Sequence, residues 1–363
     1  MNTLDRYILK KFASGLLGTI VAFSIIVFVV DFVERGWRMI ERYNIGFDIL
    51  AWYYVNYMPF YIILAFPVAV LVSTLFSMGS LAKNHELAVM KASGLSLYRI
   101  SAPILIAAFV VSLGVMFFGE FVLTSCEKRK DEIKTTLMEK RTKPSKIMRS
   151  DVRVPSENGW ILLARSYNVS TKEGEDVKIH KIVNNRIVKS YFAQEIIDTD
   201  SGWVLLNGSA QEFPENPAET PGHYVAFDTL WVPFLTQTPD MLAELPVPPR
   251  HMNFFDLLRR IEQKKIIGEP TSKDEVELYL KITFPFANFI LALIGLPLAA
   301  NPRRSGPSVG FGLSVIISFI FFVLIRTGQS LGGNGKLPPL LGASLGDLAF
   351  LLIGAGMMIK ARK

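Results

Sequence analysis

The chain reads as an α-helical membrane protein of six transmembrane helices, with an all-β domain inserted between the third and the fourth. Three observations predict this. Half of the 363 residues are hydrophobic and only 20% are charged, below the quarter or so usual in soluble domains. The charge is also concentrated: 47 of 71 charged residues fall between Phe121 and Lys281, so two apolar blocks flank a polar middle. Within that middle the periodicity changes from helical to alternating, the pattern of strands.

Each span follows from a run of uncharged residues. Phe12–Val30, Ile49–Ala82, Ile100–Gly119, Ile282–Ala300 and Ser305–Ile325 contain no charge, and each approaches or exceeds the ~20 residues a helix needs to cross a bilayer. A sixth, from about Pro339 to Ile359, is interrupted only by Asp347, a group that at such depth either packs inward or serves function. Pro59 and Pro67 predict that the second helix starts in the interface and kinks. The first run is too long for a signal-peptide core, and no small-residue cleavage pair follows it.

Basic residues set the orientation. Arg6, Lys10 and Lys11 precede span one, Lys83, Lys91 and Arg99 lie between spans two and three, Arg303 and Arg304 join four to five, and Lys360, Arg362 and Lys363 close the chain. With six spans all four segments share one side, which the positive-inside rule makes the cytoplasm. Both termini are then cytoplasmic in a bacterial inner membrane, and the polar middle and the Asp31–Asp48 connection lie outside. The net charge of +7 is accounted for this way and gives no argument for nucleic acid.

In the external domain, strands are predicted at Trp160–Tyr167, Val177–Val183, Ile187–Ile197, Trp203–Phe213 and Tyr224–Val232, with turns at Asn184-Asn185 and Asp200-Ser201-Gly202. Antiparallel β structure, a sandwich or roll, follows. Glu127–Lys140 continues span three as a charged helix, Leu245–Pro249 is a proline-rich link, and Phe254–Lys265 is an amphipathic helix with Asn253 or Asp256 as N-cap.

The chemistry of an enzyme is poorly represented. Gly335-Lys336 lacks the upstream glycine and the following Ser or Thr of a phosphate-binding loop. His85, His180, His223 and His251 have no metal-ligand spacing. Cys126 is the one cysteine, so no intrachain disulfide exists. Asn168-Val169-Ser170 matches a glycosylation pattern by chance. Gly328 to Gly332 and Gly342 to Gly346 permit close helix approach within the subunit.

The most informative segment is Leu81–Gly94. It predicts a short cytoplasmic helix capped by Asn84 and stopped by Gly94, with Glu86, Val89 and Met90 on one stripe. Such a helix between two spans suits a partner's groove, although an ordinary solvated loop would look similar. The run Glu86-Leu-Ala-Val-Met-Lys-Ala-Ser-Gly94 resembles the signature of the lipopolysaccharide transport permeases LptF and LptG. The resemblance extends over nearly the whole chain: Leu4-Asp5-Arg6-Tyr7-Ile8, the Asn-Asn-Arg-Ile turn, Gly202-Trp203, Met252-Asn253-Phe254 and Lys281-Ile-Thr-Phe-Pro285. Leu4–Ile8 and Leu337-Pro338-Pro339 look more like the LptG branch, while Asn301-Pro302-Arg303 also resembles LptF.

The resemblance implies six spans with a periplasmic jellyroll-like domain after the third: residues 1–120 with a coupling loop at 81–99, then 121–281, then 282–363. It implies a permease subunit without nucleotide chemistry of its own, working with an LptF-like or LptG-like partner permease. ATP and Mg would belong to an LptB-like ATPase dimer, and LptC-like and LptA-like bridge proteins would receive lipopolysaccharide in the periplasm. Glu86 would couple to the ATPase, with Leu87, Met90 and Lys83 in the contact. Arg35, Arg38, Arg42 and Arg326 would meet lipid A phosphates, for which the guanidinium fork is suited. Local pairing with Glu34 and Glu41 is the plainer role for the first three. Asp31 departs from the basic residue seen in some LptG proteins. Phe23, Phe28 and Phe32 with Ile317, Phe321 and Ile325 would line an acyl-chain cavity or lateral gate between spans one and five, or simply pack. The rival reading is a mechanotransmission permease acting on lipoproteins or another envelope substrate, which has four spans and its large domain after the first. A secondary transporter would show internal repeats and more charge at mid-membrane.

Overall fold

A computed structural model of the chain describes residues 3–138, 148–155, 158–183, 186–199, 202–213, 223–243, 248–300 and 307–361. The Asn184-Asn185 turn, Asp200 and Ser201, residues 245–247 of the link, Asn301–Arg304 and the last two basic residues lie outside them. The chain divides into two compact units, one of Met1–Arg141, Pro249–Ile261 and Pro270–Lys363, the other of Thr142–Pro248 and Glu262–Glu269.

The first unit is helical. Its elements are α1 (Thr3–Asp31), α2 (Trp37–Tyr43), α3 (Phe47–Lys83), α4 (Glu86–Ala92), α5 (Leu97–Phe118), α6 (Thr124–Glu132), α8 (Phe254–Ile267, shared with the second unit), α9 (Ser272–Ala299), α10 (Pro307–Gly333) and α11 (Pro339–Lys360). Among the described residues six helical stretches are long and apolar enough to cross a membrane. They outrun the uncharged runs. Wider turns at Phe32–Gly36 and Gly119–Leu123 carry α1 into α2 and α5 into α6 without a break. The Asp31–Asp48 connection is therefore helical as far as Tyr43, ending on Asn44 in the left-handed conformation. α3 accommodates both Pro59 and Pro67 inside one 37-residue helix.

α3 is apolar all round and becomes the central element, as that pattern requires: it packs on α1, α9 and α10, while α9 also meets α5 and α11. The core joins Ile8, Phe12 and Leu16 of α1 to Leu71, Met78 and Leu81 of α3, Ile104 of α5, Leu291 of α9, Phe321 of α10 and Phe350 of α11. Against α11, α10 presents glycine. A Cβ on Gly328 would lie 2.3 Å from the Gly342 carbonyl oxygen, and one on Gly342 would lie 2.7 Å from the Gly332 Cα. The two small-residue spacings thus serve packing within the chain.

The second unit is one six-stranded antiparallel sheet in chain order, so the expected all-β domain takes the form of a meander. Its strands are β1 (Met148–Pro155), β2 (Trp160–Asn168), β3 (Glu173–Val183), β4 (Arg186–Thr199), β5 (Gly202–Glu212) and β6 (Tyr224–Trp231). β1 was not predicted. Arg149, Asp151 and Arg153 hide its alternation, in which only Val152 and Val154 are buried. The core gathers Leu162, Tyr167, Ile179, Tyr191, Ile196, Trp203 and Leu205. The segment after β6 closes it: Phe234 stacks on Trp160 at 4.2 Å, and Trp203 Nε1 donates to the Gln237 carbonyl at 2.6 Å. α7 (Pro239–Ala243) follows, with Leu242 in the core.

Candidate functional site

The segment around Glu86, expected to couple to a partner, begins where α3 ends. Asn84 terminates α3, and His85, at φ +59°, turns the chain into α4, which is shorter than the helix predicted over 81–94. Gly94 at φ +87° releases it, and the Ser96 hydroxyl accepts the Arg99 amide at 3.3 Å to start α5. α4 is thus a two-turn helix set off by a left-handed residue on either side. Asn84 does not cap it. Its side-chain amide donates to Glu86 Oε1 at 3.3 Å.

Glu86 is engaged by its own chain. Its Oε2 accepts the Tyr7 hydroxyl at 2.9 Å and its Oε1 accepts Lys11 Nζ at 3.3 Å. The Lys11 ammonium also sits over the Tyr7 ring, 4.5 Å from its centroid. Partial burial pushes the Glu86 carboxyl up, but hydrogen bonds from Tyr7 and Asn84 and the Lys11 charge outweigh it and hold the group below the usual carboxylate range. Leu87 corrects an expectation: it is 4% exposed and part of the helical core, so it anchors α4 and is not available to a partner. Met90 is half-buried against the same core, whereas Lys83 and Val89 are exposed. The outward face of α4 therefore carries Ala88, Val89 and Lys91, next to a half-exposed Glu86.

The arginines stand on helix, not loop. Arg35, Arg38 and Arg42 are exposed and fall at three- and four-residue spacing, which places them along one side. Arg35 Nε lies 3.5 Å from Asp31, whose other oxygen accepts the Tyr54 hydroxyl at 3.2 Å. Asp31 is thus the counter-charge of Arg35. Arg38 Nε donates to the Glu34 carbonyl at 2.5 Å, Arg42 lies over the Tyr43 ring, and Glu41 is taken by Trp37 Nε1 at 2.8 Å. The expected pairing with the Glu34 and Glu41 carboxylates is replaced by these contacts. Arg326, on α10, donates to Gln329 at 2.8 Å.

The apolar residues sort differently from the expectation. Phe28 and Phe32 turn inward onto Tyr54, at ring distances of 5.2 and 5.7 Å, and Phe23 is half-buried. Phe321 and Ile325 are buried in the chain's own core, Phe321 against the Phe350 ring at 5.1 Å, and Ile317 packs on that core. They do not form an open wall. α10 is apolar on every side, so its sequence could not show which stripe faces out. The exposed stripe is Val315, Ile316, Phe319, Ile320 and Val323, matched on α1 by Val21, Ile25, Ile26, Val29 and Val30.

Sequence reasoning missed a third cluster. His251 Nε2 lies 3.2 Å from Glu127, and its Nδ1 lies 2.7 Å from Asp131, while Lys130 pairs with Glu127. The three offer ligand atoms within 4.8 Å of one another, and the chain's own polar contacts already hold them, Lys130 pairing with Glu127 and Arg250 Nε donating to His251 Nε2 at 3.2 Å. Beside it Glu120 accepts the Phe254 amide and Lys281 Nζ. No local motif could reveal contacts across 120 to 161 residues.

Residues 6–360 match the family profile described as "Lipopolysaccharide export system permease LptF/LptG". The chain is 24% identical to the Escherichia coli K12 lipopolysaccharide export system permease protein LptG, covering 99% of this chain and 98% of that one. It is 23% identical to the Haemophilus influenzae LptG, over 97% of each. It is also 23% identical to the Escherichia coli K12 LptF, over 80% of this chain and 76% of that one.

Proposed function

The chain belongs to the LptF/LptG family of lipopolysaccharide export permeases, and on that premise we propose how its parts serve export. It is a multi-pass inner-membrane permease of lipopolysaccharide export that pairs with a second permease of the same family. The four-span mechanotransmission plan does not describe it, because three membrane helices precede the β unit and three follow it. The observation that carries this reading is the match along residues 6–360, membrane helices and sheet together.

In the finer reading both termini and the α4 segment face the cytoplasm, as the basic residues direct, and the sheet lies in the periplasm. An LptB-like ATPase dimer supplies ATP and Mg chemistry, and LptC-like and LptA-like proteins take up the exported lipid. α4 is the docking element, presenting Val89 and Glu86 on a helix held down by Leu87 and Met90, with Lys83 beside it at the end of α3. Closure of the ATPase moves α4, and the permease pair narrows the space between them. Acyl chains meet the exposed stripes of α1 and α10. Arg35, Arg38 and Arg42 offer phosphate a row of donors whose protein contacts are short-range, exposed and weak, so a phosphate displaces them at little cost.

The test is co-purification of this chain with a partner permease and an LptB-like ATPase, followed by lipopolysaccharide release in proteoliposomes. Glu86→Ala is expected to lower release by about tenfold or more, within the range of ordinary coupling between linked sites. Full assembly and full release in Glu86→Ala would show that coupling runs elsewhere.

A further inference from the structure

α1 is fastened to the coupling segment at two places, one on each side of α4. At the near side, Tyr7 and Lys11, one turn apart on α1, hold both oxygens of Glu86. At the far side, Arg99 in the first turn of α5 makes a two-bond fork onto Asp5, with Nη1 to Oδ1 at 2.7 Å and Nη2 to Oδ2 at 3.0 Å. Asp5 itself is 8% exposed, and the next turns of α1 bury Ile8 and Phe12. Asp5, Tyr7 and Lys11 lie within two turns of α1, so the start of α1 is a small rigid platform. α4 is bounded by left-handed residues, His85 just before Glu86 and Gly94 before α5, where the backbone turns sharply.

We propose that Asp5, Tyr7, Lys11 and Arg99 are positioning residues that make α1 follow α4, so that movement imposed on the docking helix is delivered to the whole of span one. This rests on the reading of α4 as the ATPase contact and adds the route by which its motion leaves. The physical argument is one of alternatives. Joined only through the covalent chain, α4 could tilt about its two ends and dissipate the stroke locally. With Glu86 bonded to α1, a tilt of α4 breaks charge-assisted bonds unless α1 moves too, and the Arg99 fork holds α1 against the start of α5; such bonds are the strong class of hydrogen bond. The bidentate fork also fixes direction, which a single ammonium contact does not. α1 carries the exposed stripe Val21 to Val30 and runs on into the Arg35–Arg42 helix, so its displacement reaches both lipid-facing features.

The experiment measures lipopolysaccharide released per ATP hydrolysed by the reconstituted permease–ATPase complex. The variants are Tyr7→Phe with Lys11→Met, Asp5→Arg, Arg99→Asp, and the exchange of the last two in one chain. The first three are expected to lower the ratio by about fivefold or more, the low end of ordinary coupling, and the exchange to restore at least half of it. An unchanged ratio in a fully assembled complex, or an exchange as defective as its parents, overturns the proposal. Where a single reversal prevents assembly, the exchange decides: restored assembly and release support the fork, and continued failure overturns it. Glu86→Ala in the same vesicles separates the two ideas. Normal release per ATP there means that α4 is not the coupling element. Loss there with normal Tyr7, Lys11 and Asp5–Arg99 variants means that only the brace is wrong.

Discussion

The two units use polar side chains in opposite ways. In the sheet, polar partners are dictated by register: His180 and Ser190, Ser166 and Glu175, and Lys189 and Glu212 all face one another across neighbouring strands. In the helical unit, besides pairs one turn apart on a single helix, the partners that join helices are remote, Asp5 with Arg99, Tyr7 with Glu86, Asp131 with His251 and Glu120 with Lys281. A register pair decorates a backbone ladder that already holds the strands together. A remote pair between helices is itself the specification of how they meet. Helices packed through apolar surface have several near-equivalent rotations, and a directed ionic contact selects one.

If that contrast is right, the largest effect comes from a remote pair. Glu120→Ala leaves Lys281 and the first amide of α8 without their shared acceptor, and is expected to cost about 2–4 kcal/mol, read as a lower thermal transition of the detergent-solubilised chain. A loss under about 0.5 kcal/mol would end the comparison. The arginine row is intermediate, because its contacts are short-range and exposed. Replacing Arg35, Arg38 and Arg42 together by Gln is expected to reduce lipopolysaccharide crosslinking about fivefold with assembly intact, in line with the loss of charge-assisted bonds to phosphate. Unchanged crosslinking would remove the row from the lipid path.

A pH effect in the sheet is smaller. Burial first, then the nearby Lys178 charge, push the His180 imidazole below its ordinary value of 6.5. The folded sheet therefore binds fewer protons than the unfolded chain below that value, so the contribution is complete above pH 6.5 and declines as pH falls through it. The protection factors of the β3 and β4 amides in the full chain, with the intrinsic rate at each pH divided out, should fall between pH 7 and about 5.5, around the ordinary imidazole range, and His180→Gln should flatten the response. The smallest effect is Arg165→Ala, whose pairing with Asp176 is solvent-exposed and contributes within about 0.5 kcal/mol. A larger loss would mean that surface pairs help to specify the sheet.

The same contrast explains what was legible. Spans and most strands follow from periodicities that each residue expresses locally, so α9, α11 and β2 to β6 were readable, whereas β1 was masked by its charged outer face. The motif at Glu86 marked the coupling segment, but nothing near it in sequence announced Tyr7, Lys11 or the Asp5–Arg99 fork, because those contacts exist only once α1 has packed beside α3 and α5. Which stripe of α10 faces outward was hidden for a related reason. An all-apolar helix such as α10 carries no amphipathic signal, and its orientation is decided by glycine, at Gly328 and Gly332, where α11 can come close.

That glycine seam also limits how the molecule can deform. With backbone against backbone at Gly328, Gly332 and Gly342, no side chains are left to slide or repack at that end of the two helices, whereas Phe321 and Phe350 meet through their rings further along. Shear, the usual way neighbouring helices absorb small displacements, is closed at that end. The seam is then a fixed joint, where a push on α11 at Gly342 passes to α10 directly through the backbone.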